Sequence, residues 1–88
     1  MTVDTTAITN EDLLSRVKEL LDYGENDLDD TKLKYLIDDA KNFLRASGVD
    51  ELLVNSVSAV TVIAHYVESG ITPFVEQRTT QLRMWKNV

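Results

Sequence analysis

Apolar residues recur at helical spacing along most of this 88-residue chain, and the longest such region runs from Glu51 to Gly70. Within that region only Glu51 and Glu68 are charged. On a helix of this register, apolar residues form two neighbouring stripes, whereas a surface helix needs only one. The pattern therefore predicts a central helix covered on most sides, with stripes on Leu53, Val57, Val60, Ala64 and Val67 and on Leu52, Ala59, Ile63 and Tyr66.

Shorter helices are predicted on both sides of this region. Thr9 suits the N-cap of a first helix, Asp29 or Asp30 the N-cap of a second, and Thr72 with Pro73 the start of a last one. The predicted fold class is all-α. It is a small bundle of three main helices, about 10–21, 30–46 and 51–69, plus a weaker C-terminal helix or arm, about 73–86.

The chain is short enough for one domain with a modest core. Residues 1–9 are polar, rich in Thr and without periodicity, so we expect a flexible N-terminal arm followed by one helical domain over 10–88. The segment 22–30 is acidic, but its residue order does not match a calcium-binding loop. We interpret it as a solvated turn.

Charge is distributed unevenly along the chain. Residues 1–51 carry thirteen acidic and six basic side chains, whereas residues 71–88 carry one acidic and three basic side chains, and the net charge is −6. An acidic body disfavours a domain that binds nucleic-acid phosphates.

No membrane partner is expected. The first residues lack the features of a signal peptide, and the central region contains too many polar residues for a membrane span.

Catalytic and metal-binding patterns are weak. The chain has no cysteine and one histidine, His65, which lies among apolar residues of the central region. A lone histidine in that setting is more often a hydrogen-bonded core or interface residue than a general base or a zinc ligand. We expect a protein that is not an enzyme and that uses no cofactor.

Two surfaces are candidates for binding. The third strip of the central helix is small or mildly polar and would let another helix approach. The candidate interface residues are Ser58, Val62 and His65 from this strip and Tyr66 from the apolar stripe beside it. The C-terminal segment is basic and aromatic, and Arg and Trp are enriched at interface hot spots. The alternative is that the monomer itself covers both surfaces, with Trp85 closing the bundle.

The sequence as a whole resembles the small head–tail connector (adaptor) proteins of long-tailed phages, also described as DNA-packaging connector proteins. The resemblance covers about Asn10 to Trp85 and is carried by helix lengths, apolar positions and short strings: DLLSRVKELL, DDTKLKYLIDDAKNFLRASG, HYVESG and TPFVEQRTTQLRMW. It includes no catalytic signature.

The resemblance implies a structural subunit of the virion, made in the host cytoplasm. Such subunits form a homo-oligomeric ring beneath the portal protein, contact the next neck or tail-completion protein, and extend the channel through which DNA passes without specific binding. The portal-binding candidates are then Phe74, Arg78, Leu82, Arg83 and Trp85.

Other functions stay open from the residues alone. One is a helical adaptor or regulatory domain that binds a cellular protein one-to-one through the same surfaces. Another is a nucleic-acid binder that uses Arg78, Arg83 and Lys86.

Overall fold

The protein is an all-α bundle in a computed structural model that describes residues 3–21 and 29–85. The predicted fold class is confirmed, and the first two helices have the predicted bounds. Residues 22–28, which make up most of the predicted acidic turn, lie outside the described ranges, as do residues 1–2 and 86–88. The helices are α1 (Asn10–Leu21), α2 (Asp30–Ala46), α3 (Glu51–Val54), α4 (Val60–Ser69) and α5 (Pro73–Arg83), with a 3₁₀ turn at Val57–Ala59.

Side-chain caps begin the helices at the predicted places. The Thr9 hydroxyl accepts the backbone N–H of Asp12 at 3.1 Å, and the Asp29 carboxylate accepts that of Lys32 at 2.8 Å. Thr72 caps α5, whose first residue is Pro73. Each cap satisfies a backbone donor that the helix itself leaves free, which is worth about 1 kcal/mol.

Helix α4 is the centre of the bundle, because α1, α2 and α5 all pack against it. Val62, Ile63 and Ala64 are three consecutive residues that point in different directions around the helix, and each is only 1% exposed. Burial of each large apolar side chain contributes about 1.5–3 kcal/mol. The prediction of a helix covered on most sides is therefore confirmed for this part of the chain.

The prediction of one continuous helix over 51–69 is wrong. Helix α3 ends at Val54, and the chain passes through Asn55 and Ser56 before the 3₁₀ turn leads into α4. Asn55 Nδ2 donates to the carbonyl of Glu51, and Ser56 Oγ donates to the carbonyl of Leu53. Ser and Asn side chains compete in this way with helical hydrogen bonds. Ser56 is extended (φ −113°, ψ 167°) and caps the next turn, so it ends one element and begins another.

The N-terminal segment fills the resulting break, which we define as residues 55–58. Ile8 N donates to the Asn55 carbonyl at 3.0 Å, and Val57 N donates to the Thr6 carbonyl at 2.9 Å. Ala7 and Ser56 form an isolated antiparallel bridge between these two hydrogen bonds. The segment predicted as a flexible arm thus provides, over residues 6–8, the partners that the interrupted helix lacks.

A buried lysine joins α2 to the same place. Lys41 is 6% exposed, and its Nζ donates to Asn55 Oδ1 at 3.2 Å and to Asn10 Oδ1 at 3.1 Å. Its partners are neutral amides, and no carboxylate of the described residues lies within 4 Å of its ammonium. Burial lowers the pKa of Lys41 from the usual value near 10.5, and the nearby charge of Arg45 lowers it further.

Helix α4 ends where predicted, and α5 ends earlier than predicted. Gly70 adopts φ +72°, which L side chains rarely occupy, and its N–H donates to the Tyr66 carbonyl at 2.8 Å, so α4 stops there. Helix α5 ends at Arg83, before the predicted end near residue 86.

We expect Ser56→Ala to lower the free energy of unfolding by about 1–2 kcal/mol, because removal of the buried hydroxyl breaks two hydrogen bonds. The N–H of Ser58 loses the oxygen that caps the 3₁₀ turn, and the Leu53 carbonyl loses the hydroxyl that donates to it. Urea denaturation would measure the change. Ser69→Ala is the matched control, since Ser69 is exposed at the end of α4, and it should change the value by less than about 0.5 kcal/mol. Equal effects of the two substitutions would contradict the role of Ser56.

We expect Lys41→Met to change how stability depends on pH. Because the pKa of Lys41 is lower in the folded protein than in the unfolded chain, the unfolded chain binds more protons between the two values. Wild-type stability should therefore rise relative to Lys41→Met as the pH increases from the lowered pKa towards 10.5. Urea denaturation from pH 7 to 10.5 would measure it. Lys34→Met, at an exposed position of α2, is the control; a flat difference curve for Lys41→Met would contradict the prediction.

Candidate interaction surface

The four residues predicted as a subunit interface on the central helix do not lie on one surface in the structure. Val62 is 1% exposed, so its side chain belongs to the core of the monomer and has no surface to offer a neighbour. Ser58 lies in the break, where its hydroxyl donates to the Asp4 carbonyl at 2.6 Å. The half-buried Tyr66 ring packs on Phe43, with 5.3 Å between the ring centroids. His65 is the member of the set that stays exposed.

His65 lies in the middle of α4, and its ring contacts the second residue of α5. Its Nδ1 is 2.9 Å from the Thr61 carbonyl, and its ring centroid is 4.2 Å from that of Phe74. Phe74 remains 42% exposed despite this contact. The pair brings together one residue from each of the two predicted surfaces, which sequence spacing did not indicate.

The C-terminal set is divided between the core and the surface. Leu82 is fully buried, so it cannot contact a partner directly. Arg78 is half-buried and donates to Gln81 Oε1 at 3.1 Å. Trp85 is half-buried against the core, which agrees in part with its alternative role of closing the bundle. Arg83 and Phe74 are exposed.

Two of the most exposed large apolar residues, Ile71 and Met84, were not predicted as candidates. Ile71 is 57% exposed in the connection between Gly70 and the cap of α5, and Met84 is 73% exposed just after α5. The sequence contained a signal for the exposure of Ile71. An apolar residue between a helix stop and an N-cap lies outside both helices, so it is not part of the buried face of either. We define His65, Ile71 and Phe74 as the α4–α5 corner.

The acidic charge of the first half lies mostly on the surface without cations beside it. Within residues 3–21 and 29–85 there are two ion pairs, Lys18 with Asp30 and Arg45 with Glu51 at 2.8 Å. Hydrogen bonds from the two cations lower the pKa of Asp30 and of Glu51. The remaining acids of α1 and α2 form no ion pair in the described part of the chain. The two helices carry six acidic and six basic side chains, so the net charge of −7 over residues 1–51 comes from the segments before, between and after them.

Two open grooves lie on the surface. The α1–α2 groove has a volume of about 300 Å³ and is lined by three apolar side chains, Leu13, Leu14 and Ile37, and by four polar or charged ones, Asn10, Glu11, Lys34 and Asp38. The other, of about 320 Å³, lies between the end of α2 and α5. Thr79 lines this second groove, and its buried hydroxyl has no hydrogen-bond partner among the described residues.

The described residues contain no cluster of three or more His, Asp or Glu side chains able to hold a metal ion. Lys41 is the most chemically unusual side chain, but its ammonium contacts two amides and lines neither groove. The arrangement as a whole offers surfaces for macromolecular contact.

None of the helices that the structure describes is both long enough and apolar enough to cross a membrane. Comparison of the chain with protein-family models, with curated proteins and with solved structures finds no match.

Proposed function

We propose that this protein is a structural subunit of a phage neck, which forms a ring beneath the portal protein, joins the head to the tail and extends the DNA channel. The proposal places it at the head–tail junction of the virion, after synthesis in the host cytoplasm, in contact with the portal and with the next neck or tail-completion protein. The observation that carries it is the uneven chemistry of one small bundle: residues 1–51 carry a net charge of −7, and the basic C-terminal part exposes large apolar residues beyond α4.

The acidic surface suits a channel wall. DNA carries about one negative charge per 1.7 Å of its axis, so a negative wall repels it and leaves it free to move. A wall rich in Lys and Arg would bind the phosphates and hold the DNA in place. The acidic excess of residues 1–51 therefore supports passage of DNA without specific binding.

The exposed apolar residues suit contacts with other proteins. Ile71, Phe74 and Met84 are each more than 40% exposed, and all three belong to the C-terminal part that also carries the positive charge. Apolar side chains beside basic ones are typical of interface anchors and their rims. We place the portal contact on this part of the protein.

A one-to-one adaptor for a cellular protein is the alternative. The α4–α5 corner favours it, because the contacting rings of His65 and Phe74 and the exposed side chain of Ile71 lie close together in sequence, and a single partner could cover them. The two functions differ in stoichiometry, so the same experiment separates them.

We expect the purified chain to form a closed ring when it is mixed with the portal of the phage that encodes it. Electron microscopy and native mass spectrometry of the mixture would give the copy number. A chain that stays monomeric and never binds portal would contradict the proposal, and a one-to-one complex with a cellular protein would favour the alternative.

A gel-shift assay at low salt should show no DNA binding by the protein. Retardation of the DNA would favour the nucleic-acid binder that uses Arg78 and Arg83.

We expect Trp85→Ala to weaken assembly or portal binding more than it weakens folding. Because Trp85 packs partly against the core, both effects must be measured, by portal binding and by thermal unfolding of the isolated chain. Ile71→Ser is the matched comparison, since Ile71 is 57% exposed and its loss should leave stability within about 0.5 kcal/mol. A Trp85→Ala chain that loses most of its thermal stability yet still binds portal would assign Trp85 to the core alone.

A further inference from the structure

The α1–α2 groove has an apolar floor and an acidic rim. Leu13 and Ile37 form part of the floor, and Leu14 adds a half-buried side chain. Glu11 and Asp38 lie on the rim, and neither has a cation within 4 Å in the described residues. Lys34 also lines the groove, so the carboxylates outnumber the ammonium groups by two to one.

The end of α5 has the opposite chemistry. Met84 is the most exposed large apolar residue of the described chain, at 73%. The aliphatic part of the Arg83 side chain passes beside Gly48, and its guanidinium forms no ion pair within residues 3–21 and 29–85. We define Arg83–Trp85 as the α5 end. It offers one apolar side chain and one cation to a groove that has an apolar floor and two free carboxylates.

The two features cannot meet within one molecule. The groove lies beside Ile37, near the middle of α2, whereas Arg83 lies beside Gly48, beyond the end of that helix. With a rise of 1.5 Å per residue, the part of α2 from Ile37 to its end at Ala46 already separates the two places by about 14 Å along the helix axis. The α5 end of one copy can therefore fill only the groove of another copy.

We propose that the α5 end of one copy occupies the α1–α2 groove of the next copy, with Met84 on the apolar floor and Arg83 beside Glu11 and Asp38. The two contacting surfaces are different parts of the same chain, so the contact is head-to-tail, and it closes into a ring where the rotation between copies allows. Closure into a ring rests on the proposed function, whereas the pairing of the two surfaces rests on their apolar and charged side chains alone.

Charge reversal with complementary mixing tests the pairing. Glu11→Lys and Arg83→Glu should each weaken self-association about tenfold or more, because each places like charges together in the contact. An equimolar mixture should associate as well as wild type, because every junction between unlike chains pairs a cation with a carboxylate. Sedimentation velocity at low salt, over a range of concentrations, would measure all four samples.

Asp12→Lys is the matched control for Glu11→Lys. Asp12 lies in the same first turn of α1, so the substitution has the same cost against the helix dipole, but it does not line the groove. It should leave self-association within about twofold of wild type. An equal loss with Asp12→Lys and Glu11→Lys, or no recovery in the mixture, would overturn the inference.

Cysteine pairing gives a direct readout, because the chain has no native cysteine. A mixture of Leu14→Cys and Met84→Cys chains, oxidised with the portal present, should give disulfide-linked dimers that contain one chain of each kind. Rings that form on the portal without this cross-link would overturn the inference and leave the proposed function standing. Failure of the wild-type chain to bind portal, with cross-linking and charge recovery intact, would instead overturn the proposed function.

Discussion

The arrangement of the bundle depends on satisfying the backbone polar groups at the break between α3 and α4. A buried N–H or C=O group without a partner costs about 1–3 kcal/mol, so a helix cannot be interrupted inside a protein unless something replaces its hydrogen bonds. Here the Asn55 carbonyl and the Val57 N–H receive partners from residues 8 and 6 of the N-terminal segment. Lys41 then connects the Asn55 side chain to Asn10, the first residue of α1. The break thus fixes where the N-terminal segment, α1 and α2 come together.

The break also decides which surfaces are left for partners. A straight helix over residues 51–69 would extend beyond its neighbours and leave one face for another subunit. Division of that region leaves α4 with 10 residues, and α1, α2 and α5 cover it. Val62 is buried in this arrangement, and the large apolar residues exposed beyond α4 lie near helix ends, at Ile71, Phe74 and Met84. On the proposed function, contacts between copies would therefore use helix ends and grooves.

The sequence predicted the parts of the fold that depend on local signals. The caps at Thr9 and Thr72 and the stop at Gly70 are properties of a few neighbouring residues, and the structure has them where they were expected. The break was missed because Asn55 and Ser56 are equally acceptable on a mildly polar helix face. Only the approach of Ile8 and Thr6, far away in sequence, makes the interruption favourable. The candidate surface failed for the same reason at Val62 and Leu82, because their burial depends on neighbouring helices.

The size of the protein limits how firmly such subunits can hold one another. A stable interface takes about 800 Å² from each partner, so the two interfaces of a ring subunit would need more than a quarter of a surface of 5615 Å². Six large apolar side chains are exposed on the described residues, and they are dispersed along the chain, at Leu20, Tyr35, Leu52, Ile71, Phe74 and Met84. Contacts between copies would then consist mainly of polar and charged groups, which add specificity and rate more than affinity. On the proposed function, a portal that holds neighbouring copies side by side would supply the missing affinity by raising their effective concentration. The closed ring would then form on this template, whereas the free chain would associate only weakly in solution.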